Sequence, residues 1–311
     1  MADTIIVTTC SANHLAQAKG LADSLLQHNP GYKLMIGLVD KLAGRITSDY
    51  YSPHDLVEAH ELKIPEFNQM CEGYDVFELN CALKVFFALH AIEKYRADKI
   101  VFLDSDMLVF SSLHFIEKEL EKKSILLTPH ILTPFENDGK RPFEREMLKN
   151  GVFNGGFFAV KNNDEGKVFL NWWKERMIDQ CHVKPKDGLF VDQKWLNLAP
   201  IFFPALGWLQ HPGCNVAYWN LHERRISKKG NKFYVNDDLL LFFHFSGYSI
   251  DLPHQISRHQ DRVSMDDNTA LKELFALYHQ SLIDNSHVKM LDLKCYYQKS
   301  NNLFKKLGLS K

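Results

Sequence analysis

Two kinds of apolar run alternate along the first hundred residues. "DTIIVTTC" is a compact β-branched run and predicts a strand. In "NHLAQAKGLADSLLQHNPG" the spacing is helical and puts Leu15, Ala18, Ala22, Leu25 and Leu26 on one face. Asn13 suits the N-cap of that helix, and Asn29, Pro30 and Gly31 supply its stop. "YKLMIGLVD" predicts a second strand, ending in Asp40. Strand, helix, strand is the opening of a parallel α/β sheet. A helix at "NCALKVFFALHAIEKYR" then feeds the strand "KIVFLDSDM".

Further on, "SILLTPH" and "FNGGFFAV" predict strands, joined by "ILTPFENDGKRPFEREMLKNG", a long loop or short helix over the sheet. "EGKVFLNWWKERMIDQC" is amphipathic, and Trp172 and Trp173 within it are read as core packing rather than a sugar platform. "DLLLFFHFSGY" predicts a buried strand with a polar end, and "DNTALKELFALYHQSLI" a late helix. No repeat, low-complexity tract or Gly/Ser linker divides the chain. The expectation is a catalytic domain over 1–260 with a helical extension, 261–311, ending in a basic and aromatic tail.

Composition narrows the function classes. The 311 residues are 45% hydrophobic and 24% charged, with a net charge of −1, as in an ordinary globular protein. A nucleic-acid binder would show a basic excess, so none is expected. "MADTIIVTTC" runs straight into a strand, which predicts no secretory leader. The apolar runs "LLLFFHF" and "LAPIFFPALGWL" are too short to span a membrane. Six scattered cysteines without a C-x-x-C pair predict reduced, buried thiols and a cytoplasmic protein.

The chemistry begins at "KIVFLDSDMLVF", where an apolar strand breaks for Asp104, Ser105 and Asp106. Unpaired buried charge is costly, so a cation or partner is expected there. In extended backbone, residues two apart share a side, so Asp104 and Asp106 converge on one cation while Ser105 turns away. Hard oxygen ligands favour Mn²⁺ or Mg²⁺. Ligands gather at strand carboxyl ends in such sheets, and Asp40 also falls at one.

Other signals are weaker singly. His244 ends an apolar run and is either a satisfied core histidine or a Mn²⁺ ligand. Gly247 follows and would let backbone amides approach a phosphate. Asn154, Gly155 and Gly156 open a strand, where paired glycines mean close approach of a ligand or a bulge. Asp192, with Gln193 beside it, starts a helical pattern and could be only an N-cap. "HPGCNVAYWNLHERR" offers Asn215, Trp219, Asn220, His222 and Glu223, either a carbohydrate surface or a structured crossover.

A D-x-D after an apolar strand, then "FNGGFF", "DQKWLN" and "HFSG" in that order, resembles a GT-A-fold glycosyltransferase. The resemblance is strongest to the retaining glycosyltransferase family 8 and its bacterial relatives, and it covers residues 3 to 250. It implies an α/β fold with a central, mostly parallel sheet flanked by helices. It also implies Mn²⁺ (or Mg²⁺) on Asp104, Asp106 and His244, facing the diphosphate of a UDP-sugar. Thr8, Thr9 and Cys10 would lie by the base and ribose, Lys84 would face the phosphates or the first aspartate, and Gly247 would line the diphosphate. Ser105 joins these donor-binding positions, while Asn154 and Gly155 would border the sugar. Asp192 and Gln193 would bracket its hydroxyls and anomeric carbon.

One position departs from the family's H-x-x-G-x-x-K pattern: Ile250 stands in place of the lysine that neutralises the leaving diphosphate. Arg224, Arg225 and Arg258 are the candidate substitutes. The acceptor is expected to be a glycan or lipid-linked. The tail 293–311 interleaves lysines with aromatic and aliphatic residues, which suits peripheral contact at the inner face of a membrane or a merely docked terminus. Two other classes stay open: a sugar-nucleotide nucleotidyltransferase, although "TTCSANHLAQ" has no glycine for a triphosphate loop, and a non-catalytic carbohydrate-binding protein.

Overall fold

The computed structural model describes residues 4–297. Its strands include β1 (Thr4–Cys10), β2 (Lys33–Leu38), β3 (Asp55–Glu58), β4 (Lys99–Leu103), β5 (Met107–Val109), β6 (Ile125–Pro129) and β7 (Phe153–Lys161). A seven-stranded sheet runs in the order Leu206–Trp208, β6, β7, β4, β1, β2, β3. β7 is antiparallel to both its neighbours, and every other pairing in the sheet is parallel. The central sheet is therefore mostly parallel, as expected.

β1 is buried on both faces, which is why it reads as an unbroken apolar run rather than an alternation. Ile5 and Val7 face one core with Phe102, helix Val76–Tyr95 and helix Asp164–Met177. Ile6 faces the other with Val101, Leu103 and helices Leu15–His28 and His114–Lys122. Trp173 is fully buried against Phe158 and Trp172 is partly buried, so both serve packing. Five of the six cysteines are buried and Cys71 is half-buried. A third core joins helix Thr269–Asp284 to the hairpin of Ile226–Lys229 and Lys232–Val235, and to Phe243 and Phe245.

Several local expectations shift. Helix Leu15–His28 follows a single 3-10 turn, so His14 and not Asn13 precedes its first residue, and Asn13 accepts from Ser11 Oγ instead. Leu26 is solvent-exposed, because the buried stripe runs through Leu21, Ala22 and Leu25. The run "DLLLFFHFSGY" splits into Asp238–Leu239, paired with the hairpin, and Phe242–His244, paired antiparallel with β5. Among the described residues, no helix is long and apolar enough to cross a membrane.

Candidate functional site

β4 ends at Leu103, and residues 104 to 106 form a turn before β5. The extended geometry expected of Asp104 and Asp106 is therefore replaced. Met107 N–H donates to Asp104 O at 3.2 Å, and Asp104 N–H donates to Gly156 O at 2.9 Å. The turn still brings both carboxylates to one side, with Ser105 between them and partly exposed.

His244 arrives by strand pairing. Phe242–His244 lies antiparallel to β5 with His244 opposite Met107, and Phe245 N–H donates to Asp106 O at 2.9 Å. This register sets His244 Nε2 3.0 Å from Asp106 Oδ1. Burial alone would lower the pKa of this imidazole, but the Asp106 carboxylate outweighs it and raises it. Asp106 is pushed up by burial and drawn below the usual carboxylate range by His244.

One ligand atom each from Asp104, Asp106 and His244 lie within 4.8 Å of one another. Ligands of one small cation, at about 2.1 Å each, stand at most about 4.2 Å apart. His244 Nε2 and Asp106 Oδ1, 3.0 Å apart, already meet that spacing. Two carboxylate oxygens with an imidazole nitrogen suit Mn²⁺, so the set fits the expected ion.

Lys84 is the second organising group. Helix Val76–Tyr95 opens on a reciprocal cap between Asp75 and Glu78 and is almost wholly apolar along its buried side. Lys84 sits in its middle, 5% exposed. Its ammonium meets Asp104 Oδ1 at 2.9 Å, Asp192 Oδ2 at 3.4 Å and Gly155 O at 3.0 Å. The Gly155 carbonyl accepts its hydrogen bond, while the two carboxylates are ion-pair partners and Asp192 Oδ2 has no hydrogen-bond partner among the described residues. Burial would lower the pKa of this amine, but Asp104 and Asp192 together hold it well above the usual lysine value. Asp192 is thus an ion-pair partner and not a helix cap. Burial raises its carboxyl, opposed by Lys84.

The glycine pair lies where the β6–β7 register shifts, between Phe153 opposite Pro129 and Phe158 opposite Leu127, and side chains crowd both glycines there. A Cβ on Gly155 would stand 2.6 Å from Asp192 Oδ2, and one on Gly156 2.7 Å from His244 Cε1 and 2.9 Å from Asp104 Oδ2. Gln193 is held at both ends, accepting from Gly155 N–H at 3.3 Å and donating to Asn150 O at 3.1 Å. Asn154 is buried, with Oδ1 accepting from Gly156 N–H and from Asn215 Nδ2.

The remaining predicted positions lie around this centre. Thr8 and Thr9 are buried at the end of β1 and their hydroxyls have no protein partner, while Cys10 is packed in the core. Gly247 adopts φ 74°, and its carbonyl accepts from Arg258 N–H at 3.1 Å. Ile250 packs beside the third core. Arg224 cannot stand in for the absent lysine, because its guanidinium is buried and donates to Cys214 O at 2.5 Å. Arg225 and Arg258 are exposed; Arg258 reaches Gly247 through its backbone N–H, while its Nε donates to His259 Nε2 at 3.2 Å.

The segment 211–225 is a structured crossover. Asn215, Trp219 and Asn220 are buried, and Asn220 caps the backbone by accepting from Ala217 N–H. Glu223 accepts from Leu132 and Thr133 N–H, bracing the loop above. Sequence reasoning missed His130, whose Nε2 lies 3.3 Å from Asn154 Nδ2 and whose pKa burial pushes down to about 4. His130 follows β6, so the strand-end rule that marked Asp40 could have found it.

No family model matches the chain. It is 26% identical over 280 residues to the uncharacterized protein YfnF of Bacillus subtilis (strain 168), spanning 88% of this chain and 90% of that one. Among solved structures it resembles galactosyltransferase LgtC in complex with donor and acceptor sugar analogues. That likeness has a TM-score of 0.52 at 14% identity, over 89% of this chain and 95% of LgtC. It also resembles glycosyltransferase GlyE of Streptococcus pneumoniae TIGR4 at 16% identity and a TM-score of 0.49, spanning 96% of this chain but only 65% of GlyE. With its mostly parallel seven-stranded sheet and its likeness to LgtC along nearly the whole of both chains, this protein has the GT-A glycosyltransferase fold.

Proposed function

We propose that the chain is a metal-dependent glycosyltransferase of the family 8 kind. It would move a hexose, with retention, from a UDP-sugar to a hydroxyl of a glycan or lipid-linked acceptor. The observation that carries this reading is the convergence of Asp104, Asp106 and His244 on one side of a turn at the carboxyl edge of a GT-A sheet. Residues 1–260 would carry the chemistry and the helices beyond would brace it.

A divalent cation on that set would stabilise the negative charge that grows on a departing diphosphate. Lys84 fixes the direction of the Asp104 carboxylate, its ammonium standing 2.9 Å from Oδ1. The unpartnered hydroxyls of Thr8 and Thr9 are offered to the nucleotide, at the strand ends where such sheets bind ligands. Gly247 and Arg258 would face the diphosphate, the arginine replacing the charge absent at Ile250. Asn154, Gly155, Asp192 and Gln193 would border the sugar. An amide with both ends hydrogen-bonded is a poor nucleophile, so same-face attack by the acceptor is favoured over a covalent intermediate on Gln193. For the tail, 294–297 dock on the protein, with Cys295 buried and the Tyr297 ring 5.1 Å from that of Phe67, while 298–311 lie outside the described residues.

Incubating the protein with a panel of nucleoside-diphosphate sugars and Mn²⁺, read by mass spectrometry, tests the reading. Release of UDP from a UDP-hexose that stops with a chelator is expected. Consumption of a nucleoside triphosphate and a sugar phosphate with pyrophosphate release would replace it with a nucleotidyltransferase. Carbohydrate binding without turnover of any donor would replace it with a binding protein.

A further inference from the structure

Asp40 ends β2's run at the carboxyl edge, is fully buried, and belongs to neither the metal set nor the Lys84 cluster. All its partners are donors. Oδ2 accepts from Ala12 N–H at 3.2 Å, and Oδ1 accepts from Lys41 N–H and Tyr296 N–H at 2.7 Å each. The Arg45 guanidinium lies 3.4 Å from Oδ1 and donates to Lys294 O at 2.7 Å. One carboxylate thus ties together three segments far apart in sequence: the loop that leaves β1, the loop that leaves β2, and the stretch 294–297. The first of these follows β1, whose end holds the unpartnered Thr8 and Thr9, and runs through Ser11, Ala12 and Asn13.

We propose that Asp40 is a positioning residue for the nucleotide end of the cleft, fixing the loop after β1 against the stretch 294–297; this rests on the nucleotide-sugar reading above. A buried carboxylate accepting several N–H groups is strongly held, and its neutral isostere cannot replace it. Asparagine offers one acceptor oxygen and an NH₂. With the oxygen kept toward Lys41 and Tyr296, the NH₂ would face Ala12 N–H, donor against donor, and drive the loop outward. The metal ligands stand on the β4 turn and on Phe242–His244, and none of them touches Asp40.

The test compares wild type, Asp40→Asn and Tyr296→Pro in calorimetric titrations with Mn²⁺ alone and with UDP in saturating Mn²⁺. Tyr296→Pro deletes one N–H donor and leaves the carboxylate, which keeps the test open where Asp40→Asn does not fold. The expected result is unchanged Mn²⁺ affinity, with UDP binding weakened by about tenfold in Asp40→Asn, the scale of one buried group left unsatisfied. A smaller loss is expected in Tyr296→Pro. Folded variants that bind UDP as wild type does overturn the proposal, whether or not their melting temperatures fall, since lost stability alone marks a structural role. Wild type that binds Mn²⁺ but no UDP overturns the UDP reading, and this inference with it.

Discussion

Lys84 shows what a single buried charge decides. Replacing it by methionine keeps the stem but leaves Asp104 and Asp192 facing each other without a cation. Breaking such a pair costs about 3–5 kcal/mol, so Lys84→Met is expected to lower the urea-unfolding free energy by that order. A variant as stable as wild type would show that the carboxylates are protonated or solvated. Gly156→Ala reads the other side of the site. Its Cβ would press on His244 and Asp104, and loss of Mn²⁺ binding in a folded protein is the expected outcome. His130 supplies a pH signature. Its pKa is about 4 in the folded chain and near 6.5 unfolded, so the unfolded state takes up a proton first as pH falls. Stability is then fully present above about 6.5 and declines toward 4, by roughly 1.4 kcal/mol per unit of pH for this group. His130→Asn should flatten the slope of unfolding free energy between pH 6.5 and 4.5 relative to wild type. An unchanged slope would remove His130 as its source.

The elements explain what could be read from the residues alone and what could not. β1, β2 and β4 were legible because strands buried on both faces leave continuous apolar runs that end abruptly in polar residues. Helix Val76–Tyr95 was legible for its length and lack of breakers, although its reciprocal cap places the start earlier than "NCALKVFF" suggests. The turn at 104–106 was not, since D-S-D carries no glycine or proline to mark it and extended backbone would also have joined the carboxylates. The crossover 211–225 looked suited to a sugar because it is rich in Asn, Trp and His. Asn215 and Asn220 instead bond Asn154 and the backbone in a buried network, while Asn215 Oδ1, Trp219 Nε1 and His222 Nδ1 keep no hydrogen-bond partner among the described residues. Polarity in sequence does not say whether a partner is protein or ligand.

At the scale of the molecule, strand pairing brings together residues distant in sequence that could hold a cation. Asp104, Asp106 and His244 meet because β5 pairs with Phe242–His244, and no local spacing announces that pairing. The ordered set of motifs anticipated it through resemblance, whereas the cradle of Asp40 depends on backbone donors that sequence patterns do not reveal. The central claim is that this acidic pair works through a bound cation on a nucleotide sugar. It is tested most directly by the rate of UDP release from the best UDP-hexose donor, measured with Mn²⁺ and with chelator for wild type and Asp106→Asn. The substitution keeps the shape of the turn and removes the charge that opposes the cation. The account predicts release by wild type only with Mn²⁺, and a fall of about 100-fold or more in a folded Asp106→Asn. Full Mn²⁺-dependent release by that variant, or undiminished release by wild type in chelator, would contradict it.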